Sequence, residues 1–142
     1  MEAAIEGVPS VGFSLLDYRF EADFEVARFV AKTVTRQMLE DRLPAHSLLN
    51  VNIPKVGMES FQGLKLCRQA QARWAEEFEH RVDPRGRDYY WMTGRFVNHD
   101  AADDADVKAL GEGYASVVPV SFDLTDDRLG ADLRGRWDRL LQ

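Results

Sequence analysis

A chain of 142 residues of which 45% are apolar is one domain in length and has the material for one hydrophobic core, which excludes a disordered polypeptide. A formal net charge of −6, with a single dense basic run from Arg134 to Arg139 that Gly135, Trp137 and Asp138 interrupt, excludes the cationic footprint of nucleic-acid binding. A single cysteine, Cys67, excludes an internal disulfide framework, and with neither a signal peptide nor an apolar run of about 18 residues the expectation is a cytoplasmic protein without a membrane partner.

In chain order, residues 1–7 read as the last turns of a helix. Ile5 is an apolar anchor, and Gly7 is able to take the left-handed conformation that closes a helix end. No Ser, Thr, Asp or Asn precedes this helix as a cap, so its start reads as cut off. Val8 to Leu16 is a strand in which Val11, Phe13 and Leu15 alternate with Ser10, Gly12 and Ser14, small residues that let another backbone or helix approach. The period then becomes helical from Phe20 to Leu43, with a stripe of Phe20, Phe24, Ala27, Ala31, Val34 and Met38. Glu21, Asp23 and Glu25 in its first turns and Arg42 in its last suit the helix dipole, and Pro44 stops it. Ser47 to Ile53 follows as a buried strand, so strand, helix and strand form a right-handed βαβ unit with a parallel pair.

Leu64 to Ala70 reads as a further strand. Arg73 to Val82 and Arg87 to Arg95 are two more, joined by Asp83, Pro84, Arg85 and Gly86, the composition of a type I turn. Their mixture of Trp74, Phe78, Tyr89, Tyr90 and Trp91 with Glu76, Glu77, Glu79, Arg87 and Asp88 predicts a hairpin that protrudes and packs against another subunit rather than stacking on bases. Asp100 to Leu110 is acidic and then briefly helical, and Gly113 to Leu124 returns to strand. Thr125 is expected to cap a final helix that carries Leu129, Leu133, Trp137 and Leu140 along one face and is weakened by Gly135.

Sites of chemistry are scarce. Asp100, Asp103, Asp104 and Asp106 form the one carboxylate cluster, but its spacing fails for an EF-hand, which leaves a solvated acidic loop. His46, His80 and His99 fall in separate segments without a metal-type partner at i+3 or i+4. Cys67 stands beside Arg68, a neighbour able to lower a thiol pKa, yet no histidine is near in sequence and a buried structural thiol is expected. Neither GxGxxG nor GxxxxGK is present.

Four segments, in order, carry a resemblance: Gly7–Leu15 (GVPSVGFSL), Leu49–Pro54 (LNVNIP), Asp83–Trp91 (DPRGRDYYW) and Gly113–Thr125 (GYASVVPVSFDLT). Together they resemble the later half of the SurE family, the stationary-phase survival proteins, which are metal-dependent nucleotidases. One departure stands out, since the family's aspartate-rich loop commonly has a Thr-Asp pair where this chain has Ala105 and Asp106. The resemblance implies a three-layer α/β/α, Rossmann-like sheet. Residues 1–142 would be the C-terminal part of that single domain, with 64–96 as strand and protruding β-hairpin and 121–142 as a C-terminal helical arm.

The family's metal site is an adjacent aspartate pair after its first strand plus a serine and an asparagine. All would precede Met1, which makes Met1 an internal methionine or a misplaced start. The implied activity is 5′-nucleotidase or acid-phosphatase chemistry on nucleoside 5′- and 3′-monophosphates with a divalent metal, Mg or Mn. No catalytic residue and no metal ligand is identifiable in this chain, which alone is expected to be inactive. Ser14, Asp17 and Tyr18, just past the carboxyl end of the first strand, are the candidates to line the substrate side, with loop capping as the competing role for Asp17. The expected partners are the nucleoside monophosphate and further copies of the chain, in a homodimer or homotetramer built through the 73–95 hairpin and the 121–142 arm. The alternative reading is a non-catalytic oligomerisation module or truncated gene product.

Overall fold

The chain enters through a short helix, α1 (Glu2–Ile5), in a computed structural model that describes residues 1–137. Gly7 closes this helix at φ +82°, as its sequence position predicts. His46 pins the turn from a distant loop, its Nδ1 lying 2.8 Å from the Ala4 carbonyl oxygen. Strand β1 (Ser10–Leu15), helix α2 (Glu25–Asp41) and strand β2 (Leu48–Ile53) form the expected βαβ unit. The two strands run parallel, with Ser10 opposite Leu48 and Leu15 opposite Ile53.

Helix α2 is shorter at both ends than the period of Phe20 to Leu43 predicts. Asp23 Oδ1 accepts the Glu25 amide at 2.9 Å, a local bond that competes with helix and fixes its start. Arg42 turns left-handed at φ +50° and ends it before Pro44. Phe20 and Phe24 therefore fall outside the helix and are exposed, and the buried row is Val26, Val30 and Val34, with Ala27 and Met38 packed beside it.

The later elements are β3 (Gly63–Leu66), β4 (Ala72–Val82), β5 (Asp88–Asn98), α3 (Asp106–Gly111), β6 (Tyr114–Val120) and α4 (Asp127–Trp137). One sheet has the order β1-β2-β6-β3, in which β6 runs antiparallel to β2 and parallel to β3. Because side chains alternate across a strand, the two faces separate cleanly. Val51, Ile53 and Ala115, with Val11, Leu15, Leu49 and Val117, pack under α2. Cys67 and Val118 pack on the other face against Ala109 of α3. Helices on both faces give the layered α/β architecture, and each fully buried Val or Ile contributes about 1.5 to 3 kcal/mol to it.

Strand β3 stops at Leu66 rather than reaching Ala70. The chain there leaves the sheet to pair with the acidic loop, the Arg68 amide donating to the Asp104 carbonyl at 2.9 Å and the Asp106 amide to that of Arg68 at 3.0 Å. Strand β6 likewise ends at Val120, short of Leu124.

The hairpin forms its own two-stranded sheet, paired over eleven positions from Ala72 opposite Asn98 to Val82 opposite Asp88. Its turn is the predicted one. The Gly86 amide donates to the Asp83 carbonyl at 2.9 Å, Asp83 Oδ1 accepts the Arg85 and Arg87 amides, and Gly86 takes φ +77°. The register divides the hairpin aromatics between two faces. Trp74 faces Phe96, Phe78 faces Met92 and His80 faces Tyr90 on one side, whereas Trp91 opposite Glu79 and Tyr89 opposite Arg81 lie on the other. Trp91 is stacked by Arg81, whose guanidinium carbon is 5.6 Å from the ring centroid. Gly94 leaves room for the indole of Trp74, since a Cβ there would stand 2.6 Å from Nε1.

At the C-terminal end Asp126, not Thr125, caps α4, its Oδ1 accepting the Leu129 amide at 2.8 Å. The helix buries no residue, with Leu129 and Trp137 exposed. The expected contributions of Leu140 and Arg139, and residues 138–142 of the proposed arm, lie outside the described residues. Among the described residues no helix is long and apolar enough to cross a membrane.

Candidate functional site at the carboxyl edge of the parallel pair

Parallel pairing of β1 with β2 brings the residues that follow Leu15 and Ile53 to one edge of the sheet, the edge where open α/β sheets place ligands. A recess of about 270 Å³ opens there, lined by Leu15, Asp17, Arg19, Asp23, Pro54, Lys55, Val56 and Gly57. Asp17 is its anchor. Arg19 Nε donates to Asp17 Oδ1 at 2.9 Å and Nη2 to Oδ2 at 2.6 Å, and Lys55 Nζ lies 3.3 Å from Oδ1. The Asp17 side chain is 4% exposed, whereas those of Arg19 and Lys55 are 64% and 50% exposed. The Arg19 guanidinium, with help from Lys55, holds the Asp17 carboxyl well below the usual carboxylate range.

The three candidates from sequence are thus dispersed. Asp17 lies in the recess. Ser14 is exposed and sits one strand residue away, opposite Asn52, so its side chain belongs to the sheet face that α2 does not cover. Tyr18 is 92% exposed and is not among the residues lining the recess. Arg19 and Lys55 escaped sequence reading, although a parallel β1–β2 pair predicts that a residue after Pro54 will stand beside one after Leu16. On the α3 side of the sheet Ser14, Asn52, Ser116 and Lys65 form a polar row across four strands. Ser116 is fully buried there, and its hydroxyl has no hydrogen-bond partner among the described residues.

The acidic loop is solvated only in part: Asp103 and Asp104 are exposed, as composition predicts, whereas Asp100 and Asp106 are drawn inward. Asp100 accepts from both terminal nitrogens of the Arg68 guanidinium, Nη1 at 2.6 Å and Nη2 at 3.0 Å, and from the Gln71 amide at 2.9 Å. Arg68 Nε also reaches Asp104 at 3.1 Å, Lys108 pairs with Asp103, and the buried Asp106 accepts the Ala70 amide at 2.9 Å. This clasp joins the end of β3, the root of the hairpin and the start of α3. Asp106 Oδ1 also accepts the Val107 amide at 2.7 Å, while Ala105 makes no side-chain cap.

These commitments leave the cluster unsuited to a divalent cation, and among the described residues no group of three or more His, Cys, Asp and Glu is placed to hold one. Cys67 is buried, and desolvation pushes its thiol pKa up, so Arg68 does not activate it. His80 pairs with Asp88 at 2.8 Å on the hairpin, far in sequence from the edge.

Comparison with known proteins agrees with this architecture. The family model "Survival protein SurE" matches residues 1–76, over half of the chain. Among curated relatives, the 5′-nucleotidase SurE of Christiangramia forsetii is 56% identical over 133 residues, covering 94% of this chain and 51% of its own length. That of Fervidobacterium nodosum is 40% identical, covering 95% of this chain and 52% of its own length. A crystal structure of the SurE protein from Aquifex aeolicus superposes with a TM-score of 0.73 at 30% identity, over 92% of this chain and 52% of that one. The chain therefore spans about half the length of the relatives it matches.

Proposed function

Since the chain belongs to the SurE family, we propose that it supplies the C-terminal half of a nucleotidase that hydrolyses nucleoside 5′- and 3′-monophosphates, and that alone it is inactive. The observation that carries this reading is the recess at the carboxyl ends of β1 and β2, where a paired Arg19 and Lys55 stand at the edge at which the fold class binds ligands. In this reading Asp17 orders the loop that carries Arg19, while Ser14 and Tyr18 lie outside the recess lining. The family's divalent metal, Mg or Mn, does not fit Asp17 or the Asp100–Asp106 cluster, whose carboxylates are engaged by Arg68, Arg19, Lys55, Lys108 and backbone amides. We place its ligands outside these residues, in the half of the relatives that this chain does not match.

Assembly follows from surface. Phe78, Met92, Trp74 and Phe96 form an exposed apolar ladder on one hairpin face, and patches beyond a few hundred Å² are uncommon on monomers. A homodimer or homotetramer through the 73–95 hairpin and the 121–142 arm is the proposed state, in the cytoplasm.

The reading is tested by a chimera in which this chain replaces the matched half of the Christiangramia protein. The chimera is expected to release phosphate from AMP in a metal-dependent way, while the 142-residue chain alone releases none. A folded but inert chimera contradicts the nucleotidase reading and favours the non-catalytic module, and turnover by the chain alone contradicts the placement of the metal.

A further inference from the structure

We propose that Arg19 and Lys55, held side by side by Asp17, form a binding site for a phosphate-type anion in the recess beyond β1 and β2. Hydrogen-bonding capacity in the recess is lopsided. Asp17 spends Oδ1 on Arg19 Nε and Lys55 Nζ and Oδ2 on Arg19 Nη2, and its side chain is almost wholly buried. Asp23, the other carboxylate lining the recess, gives Oδ1 to the Glu25 amide. Arg19 keeps the two hydrogens of Nη1 and Lys55 keeps ammonium hydrogens beyond the one it turns to Asp17, so the groups left to meet a ligand are mainly donors. An acceptor-rich, tetrahedral anion matches them, and a guanidinium beside an ammonium is a common pairing for phosphate.

The site is also held in shape. A fork between Arg19 and a buried carboxylate fixes the guanidinium plane, so less side-chain freedom is lost when an anion arrives. Because Asp17 stays ionised far below neutral pH, the pinning persists wherever phosphate is charged. The negative charge of Asp23 opposes the anion and sets the scale at weak binding, with a dissociation constant of about millimolar order. A volume of about 270 Å³ admits the phosphate and part of the group it esterifies. For the identity of the natural ligand, a phosphomonoester, the inference rests on the nucleotidase reading; the anion site itself does not.

The test is a ¹⁵N NMR titration of the purified chain with inorganic phosphate, AMP and adenosine at constant ionic strength. Phosphate and AMP are expected to shift the Lys55, Val56 and Gly57 amides and the Arg19 Nε–H, and adenosine to leave them in place. Equal binding of phosphate and AMP assigns the site to the free anion, and tighter binding of AMP assigns it to the ester; both support the anion site. The double variant Arg19→Gln and Lys55→Gln is expected to bind phosphate at least about tenfold more weakly, with other signals unmoved. Lys55→Gln alone gives the same direction should the double variant lose its fold. Unmoved recess signals with phosphate, a variant that binds as the parent does, or adenosine reproducing the shifts would each overturn the proposal. Recess signals unmoved by phosphate, beside a chimera that hydrolyses AMP, contradict the anion site alone; phosphate shifts beside an inert chimera contradict the nucleotidase reading alone.

Discussion

The sheet under α2 and the hairpin of β4 and β5 both carry large apolar residues, yet they use them in opposite ways. Val30, Val51 and Ile53 lose essentially all contact with solvent within one chain, whereas Trp74, Phe78, Met92 and Phe96 remain exposed on a sheet of two strands. An isolated two-stranded ribbon is marginal in water even when its register is well set. Pairing and turn chemistry can therefore specify a shape without supplying its stability. The core under α2 closes around Val30, Val51 and Ile53, whereas the hairpin keeps its apolar ladder exposed.

The largest expected effect separates the two directly. Ile53→Ala removes a fully buried side chain and is expected to cost about 2 to 5 kcal/mol in denaturant unfolding of the chain. Phe78→Ala, at a position 66% exposed, is expected to change that stability by no more than about 0.5 kcal/mol while reducing association in light scattering. Equal losses of stability in the two variants would mean that the hairpin is already packed inside the chain.

What sequence could read follows the same division. The βαβ unit was legible because hydrophobic period and strand length depend on burial against neighbours near in sequence, and the DPRG turn because Asp83, Pro84 and Gly86 act through local backbone preferences. Helix α2 was read too long since Phe20 and Phe24 fit the period equally well; the deciding event is one hydrogen bond from the Glu25 amide to Asp23. The register that sets Tyr89 and Trp91 on the face opposite Trp74 and Phe78 is not legible in composition, which does not fix strand parity. The Arg68 clasp was not legible at all, because its partners Arg68 and Asp100 are 32 residues apart and meet only once β3, the hairpin and α3 are in place. Of the edge residues, Asp17 was identified and its two cations were not.

The next effect concerns the joint between the two regions. Arg68, together with the Gln71 and Ala102 amides, holds the Asp100 carboxyl well below the usual carboxylate range. A carboxyl lowered in this way contributes stability that is fully present above its unfolded pKa, about 3.9, and is lost as pH falls through the folded value. The hairpin root is therefore expected to keep its geometry from neutral pH down to about pH 4 and to loosen only in stronger acid. The Gln71 amide, which donates to Asp100 Oδ2 at 2.9 Å, reports this in an NMR pH titration. A midpoint at the ordinary carboxylate value would show that the clasp is open in solution, and Asp100→Asn is expected to abolish the acid transition.

Hydrogen exchange followed as a function of protein concentration tests the central contrast most directly. Amides of β2 and β6 are expected to exchange slowly and independently of concentration, because their protection comes from the chain's own core. Amides of β4 and β5 are expected to exchange rapidly in dilute solution and to gain protection as concentration rises and the apolar ladder finds a second copy. Slow, concentration-independent exchange along β4 and β5 would contradict the account, since it would show a hairpin stable without any partner.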